Sequence, residues 1–378
     1  MSMFRYILST IIAVAFFALS IQWAEAQEPP VSQQVISKNT DLESSSPGTD
    51  RMQDANRAAS KVLKEQMRSK RPDDAKLLEQ VDSAEIIVVS GKFDHVERVL
   101  GAIDIEHLNI SPQQLDKIEL NAKQLLMINC PGRLSTDGIE KVRKFVKAGG
   151  FLYTTDWALK FVLEKAFPGY VSFNGRKTGD DVVEVDVQKK DSAFLQHVKL
   201  ADDKPKWWLE GSSYPIEIEN EEKVDVLIES KEMKKRYGEA PIAVEFDYGD
   251  GKVLHIVSHF YLQRNELRND NEKKSGEEWV EENASVSTEA AEEAKGVSAG
   301  DINSAYSSQQ MTTNIVVERK KDQERIDKIY DNSVKRDVET DQGKVEDGTR
   351  VKVLEKKGDE AKVRTMSGDE YTIDADAL

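Results

Sequence analysis

Residues 125–164 read LLMINCPGRLSTDGIEKVRKFVKAGGFLYTTDWALKFVLE. Leu125–Asn129 is a continuous apolar run, the signature of a strand covered on both faces. A Pro-Gly turn follows, then a stretch capped by Ser135, with Gly138 in its first turn. Its apolar residues Ile139, Val142, Phe145 and Val146 fall at helical spacing. Gly149-Gly150 stops that helix. A second buried strand, Phe151–Thr155, runs into a turn at Asp156-Trp157 and a second helix. Strand, helix, strand, helix without an intervening hairpin forces a parallel crossover, and so an α/β layer structure.

The preceding residues repeat the pattern. Glu85–Ser90 is an apolar strand, Phe93–Ile103 carries apolar residues at helical spacing, and Glu106–Ile110 is a short strand. Ser111-Pro112-Gln113-Gln114 opens another helical turn, with Ser as cap and Pro in the first position. Further on, Asp181–Val187 alternates Val with Asp or Glu, as an edge or hairpin strand would. Val224–Glu229, Ile242–Asp247 and Lys252–Ser258 are additional strands, the last two joined by the turn Tyr248-Gly249-Asp250-Gly251. The fold class this predicts is α/β: a doubly wound, mainly parallel sheet of flavodoxin-like or amidotransferase-like type, with a small C-terminal all-β module.

Around that domain, at 83–267, the chain divides into simpler pieces. Residues 1–26 read as a cleaved secretory signal peptide, with Arg5 in the leader, an apolar run Ile7–Trp23 and Ala24-Glu25-Ala26 before the cut. A retained anchor is the competing reading, and the absence of a nearby Cys excludes a lipoprotein. The expected location is secreted or periplasmic, with no membrane span once the signal is removed. Residues 27–50 read as a flexible tether and 51–80 as one or two amphipathic helices broken near Pro72. The stretch 268–300 is acidic and rich in Ala, Ser and Gly, and reads as a disordered linker in which Trp279 makes a marginal contact. Residues 301–335 read as a charged helix. In 340–378, short alternating strands separated by Gly358-Asp359 and Ser367-Gly368-Asp369 read as a small β meander or barrel, marginally stable by itself.

The formal net charge of −16 argues against nucleic acid as a partner, since an acidic surface repels phosphates. Cys130 is the only cysteine, so no internal disulfide forms and a packed core must supply the stability. It is either a small buried hydrophobe or a reactive thiol.

The run MINCPG, a helix, then GGFLYTTDW resembles the class I glutamine amidotransferase-like fold, nearest to its trehalose-utilisation-type branch. Residues 251–259, GKVLHIVSH, resemble the late strand of that fold, and the resemblance spans roughly 83–265. It implies a nucleophilic Cys at the turn after Thr155 and a late His followed two residues on by Glu. Here Asp156 occupies the turn and Tyr261 stands two residues after His259. Both departures argue against conventional glutaminase chemistry. Residues 345–378 resemble bacterial SH3-type barrels, which implies an attachment role.

The candidate residues lie where parallel strands end, the side on which open α/β sheets bind ligands. Cys130, Asp156 and His259 are the candidate catalytic residues. Asp94, Asp156, Trp157, Trp207, Trp208 and His259 are the candidate ligand-binding residues. Asp156 is either a helix cap or a crevice carboxylate. Trp207-Trp208 is either packing beneath a loop or a recognition surface. Asp94, His95, Asp156 and His259 could meet at a metal, but three well-placed ligands are needed, and no metal or other cofactor is expected. His255, four residues before His259, reads as a packed strand residue. Ser90-Gly91-Lys92 lacks the spacing of a phosphate loop. The expected function is a non-catalytic amidotransferase-like domain that binds an unknown protein or saccharide. The alternatives are a sugar or amide hydrolase working through Asp156, Cys130 and His259, and an assembly protein that oligomerises through the helices at 51–80 and 301–335.

Overall fold

The computed structural model describes residues 35–36, 47–198, 205–259, 270, 272–283 and 288–378. The expected signal peptide, most of the tether, and Tyr261 lie outside them.

Nine strands form the main sheet: β1 (Val35–Ile36), β2 (Ile86–Val89), β3 (His107–Ile110), β4 (Leu125–Ile128), β5 (Phe151–Thr155), β8 (Asp186–Val187), β11 (Val224–Glu229), β12 (Pro241–Tyr248) and β13 (Gly251–Ile256). Two further pairs lie outside it: β6 (Val171–Phe173) with β10 (Ile216–Ile218), and β7 (Asp181–Glu184) with β9 (Lys206–Leu209). The sheet order is β1-β3-β2-β4-β5-β13-β12-β11-β8. The five central strands, β3-β2-β4-β5-β13, are mutually parallel. This is the doubly wound flavodoxin-like order, with the connection reversing between β2 and β4. Strands β12, β11 and β8 extend it antiparallel. Every residue of β2, β4 and β5 is buried, which explains the unbroken apolar character of β2 and β4 and the apolar start of β5.

Helix packing covers the sheet. After α1 (Pro47–Lys70), α2 (Pro72–Glu79), α3 (Val96–Ala102) and α4 (Pro112–Leu115) comes α5 (Thr136–Ala148). Ser135 Oγ accepts from Gly138 N at 2.9 Å to start α5. Ile139, Val142, Phe145 and Val146 are buried on its inner face, each contributing roughly 1.5–3 kcal/mol. One π-helical turn, Leu159–Leu163, follows the Asp156 turn and leads into α6 (Glu164–Ala166). Such turns often sit at functional sites. Helix α7 (Lys231–Tyr237) caps the antiparallel extension.

Three expectations need correction. The described part of 268–300 holds α8 (Gly276–Asn283) and α9 (Thr288–Glu293). Trp279, only 7% exposed, is buried with Val280, Ala290 and Ala294 in the main core. Acidic residues occupy the outer face; Glu293 pairs with Arg57 and Lys61 of α1. Average composition hid this narrow apolar stripe.

The compact unit does not end near Leu267. Helix α10 (Ala299–Ile329) packs into the same core against α1. The sequence predicts a charged helix at 301–335 but not its burial, because polar residues stand among the apolar ones on its inner face. Asn314 Nδ2 donates to the carbonyls of Phe194 (3.0 Å) and Gln196 (2.8 Å). Its Oδ1 accepts from Gln310 Nε2 (2.8 Å) and Arg71 (3.2 Å). Arg319 donates to the carbonyls of Lys123 (3.0 Å), Gly149 (3.0 Å) and Ala122. The helix faces proposed for oligomerisation are therefore used within the chain. Among the described residues, no helix is long and apolar enough to cross a membrane.

The C-terminal module starts earlier than 340. Strands β14 (Asn332–Ser333), β17 (Arg350–Lys357), β18 (Glu360–Thr365) and β19 (Glu370–Asp374) form one antiparallel sheet. Strands β15 (Val338–Thr340) and β16 (Gly343–Val345) form a hairpin beside it. The module has its own small core, yet it also docks on the loop before β4 and on α5: Ala122 N donates to the Met366 carbonyl at 2.8 Å, and Lys144 pairs with Asp369 at 2.8 Å.

Candidate functional site

The site is built from strand ends. Asp94 follows β2, Cys130 follows β4, Asp156 follows β5 and His259 follows β13, so parallel pairing carries all four to one rim. The loops after β2 and β4 touch closely. A Cβ on Gly91 would lie 2.4 Å from the Cys130 carbonyl oxygen, so only glycine fits there. That carbonyl accepts from Lys92 N (2.9 Å) and Phe93 N (3.2 Å), which fixes the Cys130 turn.

Asp156 sits at the strand-to-helix turn with φ +45°. Ser212 (φ +75°) and Ser258 (φ +63°) are also left-handed. Non-glycine residues in this region cost free energy and cluster at functional sites. The Asp156 carboxylate does not cap the following helix. Its Oδ1 accepts from Tyr214 N at 2.8 Å and its Oδ2 from Ser213 Oγ at 3.3 Å. Ser258 Oγ donates to Ser213 Oγ at 2.7 Å and accepts from Glu210 N at 3.1 Å. The carboxylate is thus tied to the Ser213-Tyr214 segment, and the capping reading of Asp156 is not met.

His259 is the centre of the arrangement. Its Nδ1 meets Glu210 Oε2 at 2.5 Å and its Nε2 lies 3.9 Å from Asp156 Oδ2. The ligating atoms of Cys130, Asp156 and His259 all lie within 4.8 Å of one another. Cys130 is only 1% exposed, and both other residues are also buried. Burial by itself would lower the His259 pKa. The carboxylate of Asp94, the contacts with Cys130 and Glu210, and the charge of Asp156 outweigh it and hold the imidazole well above its usual value. Burial pushes Asp156 up to about 7, against the pull of His259 and the Tyr214 N–H. Burial also raises the Cys130 thiol, with His259 pulling it partly back. Desolvated, oppositely biased neighbours of this kind mark a functional-site candidate.

The remaining candidates separate. Asp94 accepts from Thr155 Oγ1 at 2.5 Å and from His95 N at 2.7 Å, and its charge acts on His259. His95 turns to Glu97 at 2.9 Å, so the four-residue metal set Asp94, His95, Asp156 and His259 does not assemble; Cys130 takes the place of Asp94 and His95. His255 bonds Thr154 Oγ1 at 2.8 Å, and complete burial pushes its pKa down to about 3. The left-handed Ser258 breaks the strand periodicity that would have put it on the face of His259.

The aromatics divide too. Trp157 stacks on Tyr214 (centroids 5.3 Å apart, planes at 18°) and meets Phe93 edge-on at 5.2 Å. Its Nε1 donates to the Ser212 carbonyl at 2.8 Å. Phe93 is 41% exposed, the one large apolar side chain so exposed among the described residues. Trp207 is buried, with Nε1 on the Val257 carbonyl at 3.1 Å, and Trp208 Nε1 is held by Asp180 at 2.7 Å. Both take the packing reading.

Glu210 is the residue the sequence did not reveal. The resemblance directed attention to position 261, whereas the carboxylate on His259 comes from the loop after β9. Its one signal was its place in Trp207–Pro215, a stretch already conspicuous for its composition.

No protein-family model matches the sequence, and no curated protein matches it. Solved structures with some likeness include a putative ThuA-like protein from Bacteroides uniformis, at 9% identity over 47% of this chain and 82% of that one (TM-score 0.35). A cytoplasmic protein of Salmonella typhimurium matches at 9% identity over 47% of this chain and 88% of that one (TM-score 0.34). Gan42B, a GH42 β-galactosidase from G. stearothermophilus, matches at 15% identity over 46% of this chain (TM-score 0.32). This chain spans 27% of that galactosidase. Likeness at this level carries nothing about activity.

Proposed function

We propose that the chain is an amidotransferase-like binding protein, without glutaminase chemistry, whose crevice at Asp156, His259 and Trp157 takes a polar ligand of saccharide type, outside the cytoplasm. The observation that carries this reading is the turn after β5. It presents a buried carboxylate, tied to Tyr214 N and Ser213 Oγ, next to an aromatic pair ending in the exposed Phe93. Carboxylate plus aromatic edge suits hydroxyl hydrogen bonding together with apolar contact to a sugar face. The test is a thermal-shift screen of the full chain against saccharides and cell-wall fragments. A ligand at 100 times its Kd adds about 2.7 kcal/mol of stability. That shift disappears in Asp156→Ala and Phe93→Ala and persists in Lys357→Ala, whose side chain is exposed. A shift retained in both crevice variants rejects the reading.

One observation supports a second reading, a thiol hydrolase. Glu210, His259 and Cys130 stand in the order carboxylate, imidazole, thiol, with the thiol within 4.8 Å of the imidazole. The electrostatics oppose it. Burial raises the thiol, whereas an activated thiol needs the reverse. Rapid alkylation of Cys130 by iodoacetamide at neutral pH, abolished in His259→Ala, would reverse this order of preference.

A further inference from the structure

We propose that Cys130 Sγ, Asp156 and His259 form a three-ligand site for a divalent cation of the zinc class, with Glu210 as its outer carboxylate. The inference rests on the reading that the crevice is the working site of the chain.

Geometry comes first. Bond lengths of about 2.0 Å to nitrogen and oxygen and about 2.3 Å to sulfur put tetrahedral ligand atoms roughly 3.3–3.5 Å apart. Here the three atoms lie within 4.8 Å of one another, and His259 Nε2 and Asp156 Oδ2 are separated by 3.9 Å. Closing the triangle requires side-chain shifts of well under 1 Å per residue. The ligands stand on the ends of three neighbouring parallel strands, β4, β5 and β13, which hold their backbones rigidly.

The surroundings give an independent argument. A metal-binding histidine nearly always gives its second ring nitrogen to a carboxylate, which sets tautomer and orientation. His259 does this through Nδ1 to Glu210 at 2.5 Å, leaving Nε2 on the side of Asp156. The ligating carboxylate is fixed in the same manner, with Asp156 Oδ1 on Tyr214 N at 2.8 Å. The charges also match: one thiolate and one carboxylate balance a dication beside a neutral imidazole.

The donor set selects the cation. Sulfur, nitrogen and oxygen together suit zinc, cobalt or iron and disfavour magnesium and calcium, which need several hard oxygens. Three protein ligands leave a fourth position for water or a bound ligand, the pattern of catalytic rather than structural zinc sites. A saccharide hydroxyl could occupy that position, which joins this site to the binding reading above.

The experiment uses the reduced full chain after chelation. Co2+ is titrated in and read by absorption. A thiolate-to-cobalt charge-transfer band is expected, saturating at one ion per chain. Zn2+, followed by competition with a chromophoric chelator, should remove that band stoichiometrically. Cys130→Ser should lose the band, and Asp156→Asn and His259→Ala should bind more weakly by a factor of at least about 100. Glu210→Gln should keep the band and weaken affinity by about 10–100-fold, as the loss of an outer partner does. Absence of the thiolate band in the wild-type protein overturns the proposal whatever the variants do. An unchanged affinity in Glu210→Gln overturns the role given to Glu210. If the band is absent while the saccharide-dependent thermal shift still vanishes in Asp156→Ala, the metal site fails and the crevice reading stands. If the band is present and no ligand shifts the midpoint, the reverse holds.

Discussion

Two regions of this molecule bury polar side chains, and they do so differently. The inner face of α10 buries Gln310, Asn314 and Arg319, and each spends its donors on fixed partners, mostly backbone carbonyls of other elements. The crevice buries a thiol, a carboxylate and an imidazole together, on turns with left-handed backbone at Asp156 and Ser258. The first arrangement consists of amides and one guanidinium, whose bonds cannot be lost without leaving carbonyls unpaired. The second collects groups whose charge can change: burial raises the Asp156 and Cys130 pKa values, and the surrounding acidic groups raise that of His259 against its burial. Buried polarity is therefore fixed by hydrogen bonds in one place and titratable in the other, which is where the proposed function is placed. The two histidines four residues apart on one segment repeat the contrast: His255 is neutral and bonded to Thr154, and His259 is held charged among carboxylates.

Substitution should separate the two regions by sign. Arg319→Met is expected to have the largest effect, a loss at the upper end of about 3–5 kcal/mol in urea unfolding, because the carbonyls of Lys123, Gly149 and Ala122 lose their donors. Arg319→Lys should recover only part, since a single ammonium does not reproduce the fork. A loss below about 1 kcal/mol would show that α10 is not integral to the core. Trp279→Ala should cost about 3 kcal/mol, the cavity penalty of a large buried ring. A neutral result there would restore the disordered-linker expectation for that segment.

The sequence showed the parallel centre of the sheet clearly, because β2 and β4 are apolar at every position, β5 begins with an apolar run, and the helices between them have well-formed apolar stripes. It also located Cys130, Asp156 and His259, since strand ends on one rim are predictable once the sheet is parallel. It did not show α8 to α10 as part of the body. Their buried apolar residues, such as Trp279, Ile302, Met311 and Ile315, are interspersed with buried Ser, Thr, Gln and Asn, whose packing depends on partners far away in the chain, such as Arg71 and Phe194. Glu210 was invisible for the same reason: it lies 49 residues from His259, and only the β9 loop brings them together.

In the crevice the effect should have the opposite sign. The folded-state pKa of Asp156 is raised from 3.8 to about 7. A raised carboxylate stabilises the folded protein fully below its unfolded value, and that stability is lost as pH climbs from about 4 to about 7. Asp156→Asn removes the loss. In chelated protein, the variant should match the wild type near pH 4 and exceed it at pH 8 by a margin on the order of 2 kcal/mol, read as the difference in urea midpoints at the two pH values. Equal pH dependence in the two proteins would mean that Asp156 is ionised at no cost and would remove it from the contrast.

The smallest effect sharpens the histidine pair. Thr154→Val keeps the shape of the side chain and removes only its hydroxyl, which bonds His255 Nδ1 at 2.8 Å inside the β5–β13 ladder. Burial already keeps His255 neutral, with a pKa near 3. The substitution therefore leaves a buried, uncharged ring nitrogen without this bond, at a cost of about 1 kcal/mol. Because His255 is uncharged in both proteins at any pH above about 4, the cost should not vary between pH 5 and pH 8. A cost that shrinks toward pH 5 would show His255 taking up a proton in the folded protein once Thr154 is gone. The two histidines would then differ in degree and not in kind, and the separation of fixed from titratable burial would fail at the place where the chain brings them closest.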